Sequence, residues 1–229
     1  MPRPAFPALL CLQNVKTNIQ NHPKKQTMKT TITSIALTVI ALAGILTAPL
    51  KAQETSVENQ TTFSFETDPS TFAFKGYAFH IRIKPKNSTR LVLGAGTYGL
   101  DLPGAMVDMN DENKNKGWKV RINSAYSLFG EYYLKEANQK WFLGLQVGLQ
   151  NYKNTNDNHS GKESTYTNLL VMPSIGYTWQ PKRVPVYVKP WFGLGYTTKT
   201  AGSNAIEQLE YAINPLVPFL TVHIGYTFK

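Results

Sequence analysis

From Thr61 to Phe228 the chain repeatedly alternates apolar and polar positions with a period of two. That period places successive side chains on opposite faces of a β-strand. The last run is the clearest: Pro218, Leu220, Val222, Ile224, Tyr226 and Phe228 share one parity, and Phe219, Thr221, His223, Gly225 and Thr227 the other. Working back, Val186, Val188, Phe192, Leu194 and Tyr196 oppose Tyr187, Lys189, Gly193 and Gly195, and Leu169, Val171, Ile175, Tyr177 and Trp179 oppose Asn168, Ser174 and Gly176. Trp141, Leu143, Leu145, Val147 and Leu149 alternate with Phe142, Gly144, Gln146, Gly148 and Gln150. Over Gly117–Tyr133 the apolar row is Trp118, Val120, Ile122, Tyr126, Leu128 and Tyr132, against Lys119, Arg121, Ala125, Ser127 and Glu131. Leu91, Leu93 and Ala95 open a further strand, and Phe72–Lys84 is another, with His80, Arg82 and Lys84 opposite Phe79, Ile81 and Ile83.

These are seven strands. An eighth is read at Thr61–Phe65, where Phe63 and Phe65 share a face, with Glu66-Thr67-Asp68-Pro69-Ser70 as the turn that follows. The connections alternate in length: 85–89, 134–140 and 180–185 are short, and 99–116, 153–164 and 199–215 are long and polar. Up-and-down membrane barrels have this asymmetry, with short turns at one end and long external loops at the other.

Two more features separate a membrane barrel from a soluble sandwich. Trp118, Trp141, Trp179, Tyr132, Tyr177, Tyr196, Tyr226 and Phe228 fall near strand ends on the apolar parity, as interfacial girdles require. The glycines, Gly130 excepted, fall on the polar parity, where a narrow barrel must alternate small and large inward residues. A periplasmic soluble barrel would instead bury the aromatic rows. Pro173 and Pro190 sit inside strands and are read as bulges.

The fold class expected is therefore all-β: an antiparallel up-and-down transmembrane barrel of eight strands. The closing Tyr226-Thr227-Phe228 resembles the terminal strand of bacterial outer-membrane barrels, with Lys229 after the aromatic as a small departure. Over essentially all of 53–229 the chain resembles the small porin-like, OmpA/OmpX-like barrels of Gram-negative outer membranes. That resemblance implies outer-membrane localisation and a structural or surface-interaction role through three long external loops. It also implies contact with outer-membrane lipids, lipopolysaccharide and the outer-membrane assembly machinery. A small passive diffusion channel is the alternative, and a lipid A-modifying barrel enzyme a third.

Charge alters the picture only at first sight. The whole chain has 24 Lys+Arg against 14 Asp+Glu, a net +10 that invites a nucleic-acid partner. Six of the 24 (Arg3, Lys16, Lys24, Lys25, Lys29, Lys51) precede residue 53, where no acidic residue occurs, so 53–229 carries 18 against 14, or +4. The nucleic-acid reading lapses. Met28-Lys29, the apolar run Ile32–Leu50 and Ala52 read as a cleaved secretory signal peptide, an uncleaved anchor helix being the alternative. Residues 1–27 then form a leader upstream of the true start, 28–52 the signal and 53–229 the barrel domain. The chain's single cysteine, Cys11, lies in the leader, so the barrel has neither disulfides nor cysteine metal sites.

An eight-stranded barrel is just wide enough for its side chains to fill it. The polar parity predicts a lumenal network of His80, Arg82, Lys119, Arg121, Glu131, Gln146, Lys189 and His223, with Arg82 and Glu131 at one depth and Lys189 and His223 at another. Charges there should pair. His159, Ser160 and Glu163 are a base, a nucleophile and an acid, but in a solvated loop tip they lack rigid support. Asp108, Asp111 and Glu112 lack the spacing of a calcium loop. No catalytic residue, cofactor or metal is expected.

Overall fold

The computed structural model describes residues 60–181 and 184–228, which all belong to one compact unit, Ser56–Lys229. The leader, the signal segment and Cys11 lie outside the described residues. Eight antiparallel strands close into a barrel: β1 (Thr62–Thr67), β2 (Tyr77–Lys84), β3 (Leu91–Asp101), β4 (Trp118–Tyr133), β5 (Lys140–Asn156), β6 (Glu163–Thr178), β7 (Val186–Gly202) and β10 (Leu216–Phe228). Helical turns α1 (Ser70–Ala73) and α2 (Gly104–Val107) and the hairpin β8 (Ala205–Ile206) and β9 (Leu209–Glu210) lie in the upper connections. Sequence neighbours pair throughout, and β1 closes the ring against β10.

The register fixes the stagger. Phe65 leads across the sheet through Ile81, Ala95, Leu128, Val147, Val171 and Tyr196 to Leu216, yet Phe65 itself pairs with Tyr226. Going once round advances β10 from 226 to 216, a shear of ten residues. Eight strands with such a shear tilt by roughly 40° and leave a lumen that side chains can fill.

The outer wall is an apolar band. Leu128, Leu143, Leu149, Ile175, Leu194, Leu220 and Ile224 all point out and are exposed. Trp141 packs edge-on against Tyr177 (5.3 Å) and Tyr226 against Phe228 (5.1 Å) at its lower edge, beside Trp179. On β5 the outward apolar row runs from Trp141 to Leu149, nine residues, and then becomes Asn151, Lys153 and Thr155. A transmembrane strand needs about 9–11 residues. A sheet closed into a ring, with its apolar side outward and polar side inward, is a transmembrane barrel. Leu128 and Leu220 lie midway up this band, so Leu128→Arg or Leu220→Arg should cost about 2–4 kcal/mol in urea unfolding from lipid vesicles. Asn151→Arg, above the band, should cost under about 1 kcal/mol. Equal costs at the two levels would mean that the band does not face lipid.

Pro173 and Pro190 are not bulges: Pro173 pairs with Leu145 and Pro190 with Val222 in unbroken register. Three further expectations are corrected. First, Phe72–Lys84 is not one strand: Ser70–Ala73 is a helical turn preceded by Asp68, whose Oδ1 accepts from Ser70 N (2.9 Å), and β2 starts only at Tyr77. Second, the connection read as 153–164 is only 157–162, because polar Lys153–Asn156 and Glu163–Ser164 stay hydrogen-bonded in β5 and β6 above the apolar band. Third, the single parity read along Gly117–Tyr133 breaks. Ile122 pairs with Tyr152 and Ser124 with Asn151, so Asn123 is an extra residue in β4. A bulge of this kind turns the following side chains to the other face. Above it Trp118, Val120 and Ile122 point inward, while Lys119 and Arg121 point outward.

Candidate functional site

The lumen is filled from below by a charge network that five strands build together. Glu66 (β1), Arg82 (β2), Glu131 and Tyr133 (β4), Tyr187 and Lys189 (β7) and His223 (β10) all fall on the inward parity and are buried. Glu66 Oε1 forms an ion pair with Arg82 Nη1 (3.0 Å) and accepts from the Tyr187 hydroxyl (2.8 Å), and its Oε2 meets Lys189 Nζ (2.9 Å) and His223 Nδ1 (3.1 Å). Glu131 Oε1 accepts from Lys189 Nζ (2.6 Å), and its Oε2 pairs with Arg82 Nη2. Arg82 also donates to the Tyr133 hydroxyl and to Asn138 Oδ1, each at 2.8 Å. Asn138 reaches it from the turn below, where its φ of 63° folds the backbone under the barrel mouth.

Two carboxylates balance one guanidinium and one ammonium, so the plug is neutral without its histidines. Buried charges are tolerable only when paired in this way. Inner glycines make the room. A Cβ on Gly225 would lie 2.1 Å from the Tyr187 ring, and one on Gly96 would lie 2.1 Å from His80. This is the physical content of glycine on the inward parity.

Above the plug His80 stacks on His223 with ring centroids 4.8 Å apart, and Trp191 meets His223 edge-on. Glu66, His80 and His223 place three donor atoms within 4.8 Å of one another. Both Glu66 oxygens are already held by Arg82, Lys189 and Tyr187, so the trio does not fit a cation.

Higher still is a chamber of about 70 Å³ between the histidines and the crown of the barrel. The crown is apolar inside: Trp118, Val120, Ile122, Tyr152, Tyr166 and Tyr211 form one buried cluster, with the Tyr152 and Tyr166 rings stacked at 4.9 Å. Burial pushes the Tyr211 hydroxyl up to about 12, with Asp108 adding to the shift. Outside the crown the pairs are ionic: Lys119–Asp157, Arg121–Asp101, Lys153–Glu163 and Lys162–Glu207. The Lys162 hydrogen bond holds Glu207 below the ordinary carboxylate range. The barrel thus inverts its charges along its axis, inside at the lower membrane level and outside at the crown.

Of the predicted lumenal residues, His80, Arg82, Glu131, Gln146, Lys189 and His223 line the interior, and Arg82 with Glu131 form an ion pair. Lys119 (69 % exposed side chain) and Arg121 are on the outside, because the Asn123 bulge turns them out. For the same reason Trp118 is 7 % exposed and belongs to the inner crown, not to a girdle. Trp141, Trp179, Tyr132, Tyr177, Tyr196, Tyr226 and Phe228 lie on the outward parity. The loop trio is not assembled: Glu163 pairs with Lys153, and His159 lies 3.4 Å from Glu207. Asp111 pairs with Lys114. Sequence reasoning missed Glu66, Tyr133, Tyr187 and Asn138. Carrying the Ser64 parity two residues further would have found Glu66.

The chain matches no protein-family model, and no curated protein sequence matches it. Some solved structures are similar to it at low identity. The N-terminal β-barrel domain of Pseudomonas aeruginosa OprF is 11 % identical with a TM-score of 0.41, over 74 % of this chain and 98 % of that one. A major outer membrane protein from Thermus thermophilus gives 11 % and 0.45, over 74 % and 100 %. Neisserial surface protein A gives 12 % and 0.37, over 73 % and 94 %.

Proposed function

We propose that this protein is an integral outer-membrane barrel whose lumen does not conduct and whose role is structural or interactive at the cell surface. The observation that carries this is the neutral plug of Glu66, Arg82, Glu131 and Lys189, each nearly or wholly buried, set across the lower lumen. Opening a path for solutes would mean separating buried charges, which costs several kcal/mol per uncompensated ion. The aromatic crown narrows the upper end, where the Tyr152 and Tyr166 rings stack within one buried cluster. Lipid and lipopolysaccharide acyl chains would contact the apolar band, and the ionic rim of Lys119, Arg121, Lys153 and Lys162 would stand among the headgroups. The closing strand β10 would be what the assembly machinery reads.

Planar-bilayer recording of the refolded protein tests the proposal, after faster gel mobility before boiling has established the closed barrel. The expected result is no conductance above the lipid background. Stable unitary steps in the wild type would overturn it in favour of the small diffusion channel.

A further inference from the structure

The barrel wall is uneven. β1 ends at Thr67, whose β10 partner is Ile224, while β10 continues upward as Leu216–His223 with β7 alone beside it. Those eight residues span about 20 Å of height at a rise of ~3.3 Å and a tilt of roughly 40°. Among the described residues no strand covers that edge; in place of β1 stands the short turn α1. An open edge in hydrocarbon is costly unless it is managed or lines a cavity.

Here it is managed. Thr197 N–H donates to Pro215 O and Thr227 N–H to Pro185 O, so odd positions of β10 address the β7 side and even positions the gap. Pro218, an even position, has no N–H to leave unpaired. Leu216 N–H is taken up by Asn214 Oδ1 (3.2 Å). Thr221 donates to Asp68 Oδ2 (2.7 Å) and lies 3.0 Å from Ser70 Oγ, which ties α1 to the edge. The gap is a built feature, at the height of the upper apolar band.

The chamber lies directly behind the wall at this place. Asp68, Thr71 and Ala78 line it on one side of the gap, and Val217 and Phe219 on the other. Its interior is largely apolar, with Tyr98, Leu170, Met172 and Trp191 among its walls. Three polar atoms on the same walls have no partner: His80 Nδ1, Asn168 Oδ1 and Thr197 Oγ1, in residues 6 %, 1 % and 3 % exposed. Buried polar atoms need partners, and these three can together receive and supply hydrogen bonds. With ~10–15 Å³ for each water centre, 70 Å³ holds about five to seven waters, or one six-membered ring with a short tail.

We propose that the chamber is a binding site for a small apolar molecule carrying one hydroxyl, of the alkylphenol class, which enters sideways from the outer membrane leaflet between α1 and β10. The hydroxyl meets His80, Asn168 or Thr197, and the ring packs against Leu170, Met172 and Trp191. This rests on the barrel lying in a bilayer, but not on whether the lumen conducts.

The test uses the full barrel in nanodiscs of dimyristoylphosphatidylcholine, with insertion checked separately by heat-modifiable mobility. The probe is a photoactivatable alkylphenol, and its attachment sites are mapped by mass spectrometry. Saturable labelling of chamber residues is expected, reduced at least tenfold by Leu170→Trp, which fills the chamber. Met172→Phe is the milder filling variant should Leu170→Trp not fold. Val217→Trp narrows the mouth and should slow labelling at least tenfold without changing its final extent. Labelling confined to the outer belt, or unchanged by filling, would overturn the site. An unchanged rate in Val217→Trp would overturn the lateral route.

Discussion

Replacing Glu66 by alanine should lower the stability of the folded barrel by about 3–5 kcal/mol, the cost of removing one partner from a buried ion pair. Glu66 is fully buried and receives Arg82, Lys189, the Tyr187 hydroxyl and His223. Without it Arg82 and Lys189 share Glu131 alone, and one positive charge is left uncompensated in the lumen. Tyr187 also loses its acceptor, and an unsatisfied buried hydroxyl adds about 1–3 kcal/mol if no water replaces the bond. Glu66→Gln keeps an acceptor and loses only the charge, so it should fall between wild type and Glu66→Ala. Lys119→Ala is the control. Its partner Asp157 is on the exposed crown, where ion pairs are worth about 0–1 kcal/mol. Urea unfolding from lipid vesicles, followed by tryptophan fluorescence, measures all three. If Glu66→Ala stays within about 1 kcal/mol of wild type, water enters the lower lumen, and the non-conducting reading falls with the prediction.

What the sequence shows and what it hides divide along physical lines. Inside the membrane each face of a strand meets one solvent, lipid or lumen, so alternation is legible and the strands from Leu91 onward stand close to where their pattern puts them. Above the band the outer face meets water, and Lys153–Asn156, though still paired in β5, has the composition of a loop. Glu66 was hidden by its neighbours, since Asp68-Pro69-Ser70 does turn the chain, two residues later than composition alone suggests. Phe72 and Phe74 imitate a strand face, although Phe72 lies in a helical turn, Phe74 ends it, and both are exposed. The assembly of Glu66, Arg82, Glu131 and Lys189 from four strands depends on the shear of the closed barrel, which no single segment encodes. Arg82 and Glu131 could be paired by depth because both are counted from the same short-turn end.

Deleting Asn123 should have the sharpest local effect in the molecule. The residue is the one by which β4 exceeds both neighbours: Ile122 pairs with Leu100 of β3 and Tyr152 of β5, and Ala125 with Tyr98 and Gln150. Without it the strand above would resume the parity of the strand below. Trp118, Val120 and Ile122 would turn outward, and Lys119 and Arg121 would enter the crown against Tyr152, Tyr166 and Tyr211. Exposing three apolar side chains at about 1.5–3 kcal/mol each is more than a local segment can bear, before any cost of burying the two cations. The crown should therefore open while the band below, from Tyr126 down, keeps its pairing. Limited proteolysis of the protein in lipid vesicles reads this directly. Cleavage within 102–122 should rise at least tenfold in the deletion variant, with the faster mobility of the unboiled barrel retained. An Asn123→Gly variant, which keeps the extra residue, should remain resistant. Resistance in the deletion variant would mean that another residue takes over the bulge, and the inversion of the barrel would then be set by the crown's apolar packing and not by Asn123.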